Sequence, residues 1–217
     1  MITRIRRVLA RHGLREVVRI GVVTARDRVQ LREEHVWYQL ALPPVLEPRS
    51  LPDGAALVEA SDGDADLLDG LPASAPAAAR QLQARGGRLF LVVEDGLALF
   101  ACWIHERETP MIAARGGWLT LPEGTVCLED SVTAPAARGR GIAPAAWFEL
   151  ARRLAAEGKE TMVTKVAVSN APSRKAVEKA GFAEFGRMHL RRLLGHMTVR
   201  LDGAAPLAVD LRGRLGG

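Results

Sequence analysis

The chain has 217 residues, 48% of them hydrophobic and 25% charged, a composition that excludes a disordered polymer and suits one ordinary domain with an extension. Its formal net charge of +5 is local. Residues 1–32 hold nine arginines against Glu16 and Asp27, a balance of +7, so the remainder sums to −2.

From the start, Ile2, Ile5, Val8 and Leu9, then Leu14, Val17 and Val18, recur at helical spacing with arginines on the other face, which predicts short helices divided near Gly13 and Gly21. Arginines recur too often here for a secretory signal. The basic arm has three readings. It is a solvated face packed on the domain, a contact for a polyanion, membrane surface or phosphate-bearing substrate, or an oligomerisation arm. The chain is also rich in Ala and Arg and poor in Lys, a bias that GC-rich coding sequence produces by itself. His35–Leu42 reads as a strand closed by Pro43-Pro44, with Trp37-Tyr38 expected on a sheet edge. The Pro-rich run to Asp53 reads as a linker. The expected division is therefore a basic helical and strand extension over 1–50 and a domain over 51–217.

Within the second part, Ala56–Glu59 reads as a short strand, Ser61–Asp64 as turn and capping groups before Leu67 and Leu68, and Ala75–Arg85 as a helix. Arg88–Glu94 and Leu97–His105 flank Asp95-Gly96, a strong hairpin signal. Thr125–Thr133 is a strand, and a helix follows over Pro144–Glu157. Met162–Val168 is a strand, and Ser173–Ala180 is a helix ended by Gly181. Phe182–Leu190 and His196–Leu201 complete the series. The order βααβββαβαββ predicts an α/β fold of the α+β type, with a mixed, mostly antiparallel sheet and helices on its faces. Cys102 and Cys127 lie in apolar strand-like runs and read as reduced and buried; no Cys/His spacing suits a metal. The longest apolar stretch, Leu89–Ile104, is interrupted by Glu94-Asp95-Gly96, so no membrane helix is expected and the expected location is cytoplasmic.

The chemistry concentrates in Thr133–Pro144. A strand enters a tight turn with two glycines and a helix starts at once, so main-chain N–H groups converge unobstructed at the positive end of a helix dipole. That is a site for a phosphate or pyrophosphate. Arg138 and Arg140 add charge-assisted contacts, and Pro144 suits the first helical turn. The loop is neither a Walker loop nor a Rossmann fingerprint. One helix and one strand downstream, Val166–Phe182 runs from a strand end through a polar turn into a short helix and out at Gly181-Phe182.

These two segments, in this order and at this separation, closely resemble the GNAT superfamily of acyl-CoA-dependent N-acyltransferases. The family's pyrophosphate loop, Arg/Gln-x-x-Gly-x-Gly/Ala, is matched by Arg138, Gly141 and Ala143. Its later Asn-x-x-Ser/Ala and Gly-Phe are matched by Asn170, Ser173, Gly181 and Phe182. The resemblance covers roughly Ala55 to Leu201. It implies a GNAT-like sheet with helices on both faces, acetyl-CoA or another acyl-CoA as co-substrate, and no metal. Residues Arg138, Gly139, Arg140, Gly141, Ile142 and Ala143 would then hold the diphosphate. Main-chain groups of Val132 and Thr133 would pair with pantetheine, and Asn170 and Ser173 would lie on its far side. The implied reaction is direct attack of a primary amine on the thioester, with a base to remove its proton and an oxyanion donor from the main chain.

Side-chain alternation along Thr125–Thr133 puts Cys127, Glu129, Ser131 and Thr133 on one face, and Leu128, Asp130 and Val132 on the other. Family members place a base four or six residues before the position of Thr133, which implies Glu129, with Asp130 the fallback if a bulge shifts the register. Cys127 reads as a buried strand cysteine. The chain departs from the family at Val177, where a tyrosine usually serves as general acid; Tyr38, the only tyrosine, lies far away in sequence. The expected acceptor is a small-molecule amine (amino sugar, amino acid or polyamine), with a protein amine as second option. That departure leaves open a non-catalytic acyl-CoA-binding regulator, and the basic arm leaves open nucleic-acid or membrane-surface binding. The arginine spacing matches no DNA-reading motif, so nucleic acid is not expected. A dimer is compatible with the sequence, which does not set an oligomeric state. His105, His189 and His196 read as structural or acceptor-side residues, and Trp103, Trp118 and Trp147 as core or pocket wall.

Overall fold

The structure, a computed structural model, describes residues 30–217 apart from 46, 62, 63, 65, 66, 69, 70, 73–75, 112, 113, 194, 195, 216 and 217. The helices expected within residues 1–29 lie outside the described residues. Among the described residues, one eight-stranded sheet and four helices frame the site. The sheet contains β1 (Gln30–Ala41), β2 (Ala56–Glu59), β3 (Arg88–Glu94), β4 (Leu97–His105), β7 (Thr125–Thr133), β8 (Thr161–Ala167), β9 (Ala183–Leu193) and β10 (His196–Asp202). Its spatial order is β10-β9-β1-β8-β7-β4-β3-β2. All neighbouring pairs run antiparallel except β7 and β8, which are parallel. Two three-residue strands, β5 (Glu108–Pro110) and β6 (Trp118–Thr120), form a separate ribbon.

Local chemistry explains the elements that were legible. Asp95 and Gly96 have φ of 50° and 75°, the left-handed pair that a two-residue hairpin needs to match strand twist. Along β4, Phe100, Cys102 and Ile104 pack into one core while Ala101 and Trp103 pack into another, as a strand buried on both faces must. The first core is closed by α2 (Ile142–Ala156) and α3 (Ala171–Lys179). On the opposite face lie α1 (Pro76–Ala84) and α4 (Pro206–Leu215). The fold is thus a mixed, largely antiparallel sheet with helices on both faces.

The strand expected in an N-terminal extension is an interior strand of the sheet. β1 pairs with β8 from His35↔Ala167 to Ala41↔Thr161, and on its other side with β9. Trp37 and Tyr38, expected on an edge, are 0% exposed. The reason is the apolar content of both faces: Val36, Tyr38 and Leu40 enter one core and Trp37 the other. A boundary at residue 50 therefore does not separate this strand from the sheet. Helix α4 was not anticipated, although Leu207, Ala208, Leu211 and Leu215 carry helical spacing. β5 and β6 are too short for a periodic signal.

Candidate active site in the split between β7 and β8

β7 and β8 pair only over Thr125–Cys127 and Thr161–Val163, then diverge. Thr164 Oγ1 donates to the Leu128 carbonyl at 2.8 Å, and a cleft of about 940 Å³ opens beyond it. A local irregularity accompanies the split. Opposite β4, Val132 faces Ala101 and Glu129 faces Trp103, so β7 carries one extra residue between them, and Asp130 sits at φ 46°. Such a bulge bends a strand and adds twist.

The bulge also corrects the expected alternation. Cys127 packs in the core that holds α4, on the same face as Glu129, but Ser131 Oγ accepts a hydrogen bond from Trp147 Nε1 of α2, on the other face. Thr133 lies opposite Phe100, whose side chain also faces α2. Cys127 and Glu129 therefore do not share a face with Ser131 and Thr133; the inserted residue reverses the sense of alternation.

At the mouth of the cleft, Gly139 and Gly141 have φ of 80° and 75°, and a Cβ at either would meet nothing within 4 Å. Gly141 is the residue before α2 and contributes no side-chain cap. Among the described hydrogen bonds, none is donated by the main-chain N–H groups of Gly139, Arg140, Gly141, Ile142 or Ala143. A helix N-terminus leaves its first N–H groups without internal partners, and here no side chain meets them. The loop can hold an anion such as a diphosphate.

The cleft brings together Glu129, Val132, Thr133, Arg138, Gly139, Gly141, Ile142, Ala143, Asn170 and Ser173. Arg140 does not line it. Its guanidinium pairs with Glu94 at 2.6 and 2.9 Å, and each partner's hydrogen bond moves the other's pKa, Glu94 down and Arg140 up. Asn170 caps α3 by accepting from Ser173 N at 3.3 Å. Val177, at the family's tyrosine position, lines the cleft. Tyr38 does not; its hydroxyl donates to Glu178 Oε1 at 2.9 Å, and burial with that carboxylate pushes its pKa up to about 12.

Two titratable side chains of the cleft, Lys165 and His35, carry no motif in the sequence. Lys165 on β8 forms an ion pair with Glu129 Oε1, which also accepts from Thr109 Oγ1 at 3.1 Å and Cys127 Sγ at 3.3 Å. Burial works against the Lys165 charge, but the Glu129 carboxylate, aided by Cys127 and Asp130, outweighs it and holds the pKa above the ordinary lysine value. A lone lysine inside the apolar run of Thr161–Ala167 was the available signal. His35 on β1 also lines the cleft. Asp130 is exposed at the surface of the cleft, and partial burial by its walls, with the Glu129 charge, still raises its pKa. Burial raises the Cys127 thiol strongly, which leaves it an inert neutral group. His105 lies outside the cleft, 2% exposed and stacked on Trp103, and His189 and His196 do not line it either. Trp147 is pocket wall, as expected.

The family description "Acetyltransferase (GNAT) family" matches residues 71–182, a span that begins before α1 and ends beyond α3. The chain belongs to the GNAT acetyltransferase family. Solved GNAT structures share its fold. A GCN5-related N-acetyltransferase from Sphaerobacter thermophilus is 14% identical with a TM-score of 0.55, covering 85% of this chain and 57% of its own. A GNAT acetyltransferase from Colwellia psychrerythraea is 15% identical with a TM-score of 0.54, covering 79% and 60%. A tandem GNAT protein from the clavulanic acid biosynthesis pathway is 18% identical with a TM-score of 0.52, covering 80% and 54%. The chain therefore spans a little over half the length of these GNAT proteins. No functionally curated protein matches it. Among the described residues no helix is long and apolar enough to cross a membrane.

Proposed function

We propose that this GNAT protein transfers an acyl group, most simply acetyl, from coenzyme A to a primary amine. The observation that carries the reading is the row of unbonded main-chain N–H groups over Gly139–Ala143, set at the mouth of a split between two parallel strands. They and Arg138 hold the diphosphate. Thr133, whose main chain points away from β4 because the next residue, Ala134, bonds to the Leu99 carbonyl, pairs with pantetheine, and Asn170 and Ser173 flank its far side. Arg140 joins the diphosphate by leaving Glu94, an exposed and therefore weak ion pair.

The amine approaches from the face of the sheet that carries Glu129, Lys165 and His35. Glu129 takes the ammonium proton, directly or through water, and Lys165 fixes the carboxylate's orientation. Freed of its proton, the nitrogen attacks the thioester carbonyl, and a main-chain N–H of β7 meets the oxyanion. With Glu129 and Asp130 against Lys165, the acceptor side carries net negative charge, which favours a cationic amine: an amino sugar, an amino acid or a polyamine, with a protein amine second. Calorimetry with CoA and thiol release from acetyl-CoA with an amine panel test the reading. Saturable CoA binding is expected, with amine-dependent thiol release reduced about 100-fold in Glu129→Gln. No CoA binding defeats it, and binding without release against any amine marks a regulator instead.

A further inference from the structure

We propose that His35, supplied by the N-terminal strand β1, is the proton shuttle of the acyl transfer, carrying a proton from the attacking nitrogen to the departing thiolate. This rests on the acyl-CoA reading above and fills the place that Val177 leaves empty. β1 lies outside the matched span of residues 71–182, so the family likeness assigns this histidine nothing.

Its position makes the assignment. His35 lies opposite Ala167, at the end of β8 that borders the cleft, and lines that cleft with Glu129, Asp130 and Lys165. Strand alternation puts it on the face of Trp37, which lies opposite Lys165. Its Nδ1 is buried without a hydrogen-bond partner, a cost that a bound ligand or water would relieve. Other groups near the cleft are less suited to shuttle. Tyr38 is tied to Glu178, Thr164 to the Leu128 carbonyl and Ser131 to Trp147, while Lys165 holds its proton against Glu129.

Among the described residues, the charges that act on His35 are Glu33 on its own strand, Lys165 on β8 and Glu129 on β7, with Asp130 of β7 further along the cleft; β9 places the uncharged Met188 opposite it. Burial lowers its pKa, Lys165 assists, and Glu33 and Glu129 oppose, leaving a net lowering. A neutral imidazole with an acidic conjugate acid is what a shuttle to sulfur needs.

The protons balance. The ammonium releases one proton to solvent through Glu129, and the amine lone pair forms the C–N bond. The tetrahedral nitrogen then gives its surplus proton to the imidazole. The C–S bond breaks with its electron pair on sulfur, and the imidazolium protonates that thiolate. Amide, CoA thiol and neutral His35 result.

Ring NMR of the full chain, with His35 assigned through the backbone, tests this without a known acceptor. CoA is expected to displace the His35 ring signal, and desulfo-CoA, which lacks the thiol, to displace it much less. With an amine that turns over, His35→Gln and His35→Asn should lose about 100-fold in kcat while the KM for acetyl-CoA holds. The loss should shrink with an aryl thioester, whose thiolate leaves without protonation; a merely structural histidine would lose equally on both. An unmoved ring signal in a chain that calorimetry shows to bind CoA overturns the shuttle alone. Wild-type kcat in both variants does the same. Failure to bind CoA at all overturns the acyltransferase reading and the shuttle together.

Discussion

Lys165 and Glu129 have side-chain exposures of only 14% and 13%, a depth at which leaving either charge alone is costly. Glu129→Gln and Lys165→Met are each expected to lower unfolding free energy by about 3 kcal/mol, and the double variant by less than the sum. Urea unfolding of the four chains measures this. Because the folded pKa of Lys165 lies above its ordinary 10.5, the pair's contribution is fully present below that pH and is lost as pH rises through the folded value. Alkaline melts should show this loss in the wild type and not in Glu129→Gln. Asp130 behaves oppositely. Its pKa is raised, so the ionised form costs stability above the folded pKa, and that cost vanishes as pH falls to the ordinary 3.8. Asp130→Asn, which also tolerates the left-handed backbone, should raise Tm at neutral pH and lose the advantage in acid.

Among the elements, the loop before α2 and the start of α3 are where the proposed cofactor contacts fall on atoms that also shape a helix terminus. Gly141 sits at φ 75° with open space around its Cβ position, so Gly141→Ala is strained by its backbone and not by a clash. A loss of about 1 kcal/mol in stability is expected, together with weaker CoA binding, read by thermal melts and calorimetry. At α3, Asn170→Ala removes the cap on Ser173 N and should cost about 1 kcal/mol, while Asn170→Asp keeps the cap. If CoA affinity falls in both, Asn170 contacts the cofactor as well as capping the helix; if only the alanine variant is affected, its role is the cap. Both segments were legible because each is contiguous in sequence and announced by its own residue types. The bulge at Asp130 was not. An extra residue in β7 is defined only against β4, so alternation within β7 could not reveal that Ser131 turns toward Trp147.

For the molecule as a whole, β1 joins the β9–β10 hairpin to the rest of the sheet, since β9 bonds to β1 and not to β8. Val36, Trp37 and Tyr38 are 0% exposed, and burying each such side chain contributes roughly 1.5–3 kcal/mol. A chain beginning at residue 42 should therefore fail to form a cooperative fold, checked by far-UV circular dichroism and the breadth of its thermal transition. The sequence by itself determined the hairpin at Asp95-Gly96, the strands and helices around the site, the glycine-containing turn before α2 and the likeness to the family, because these follow from local propensity and short-range pattern. Only tertiary structure decided that β1 is interior, that His35 and Lys165 join Glu129 in one cleft, and that Arg140 is drawn off to Glu94. Those relations link residues far apart in the chain, from His35 and Lys165 to the paired Gln30 and Leu193, and no local pattern encodes which strand pairs with which.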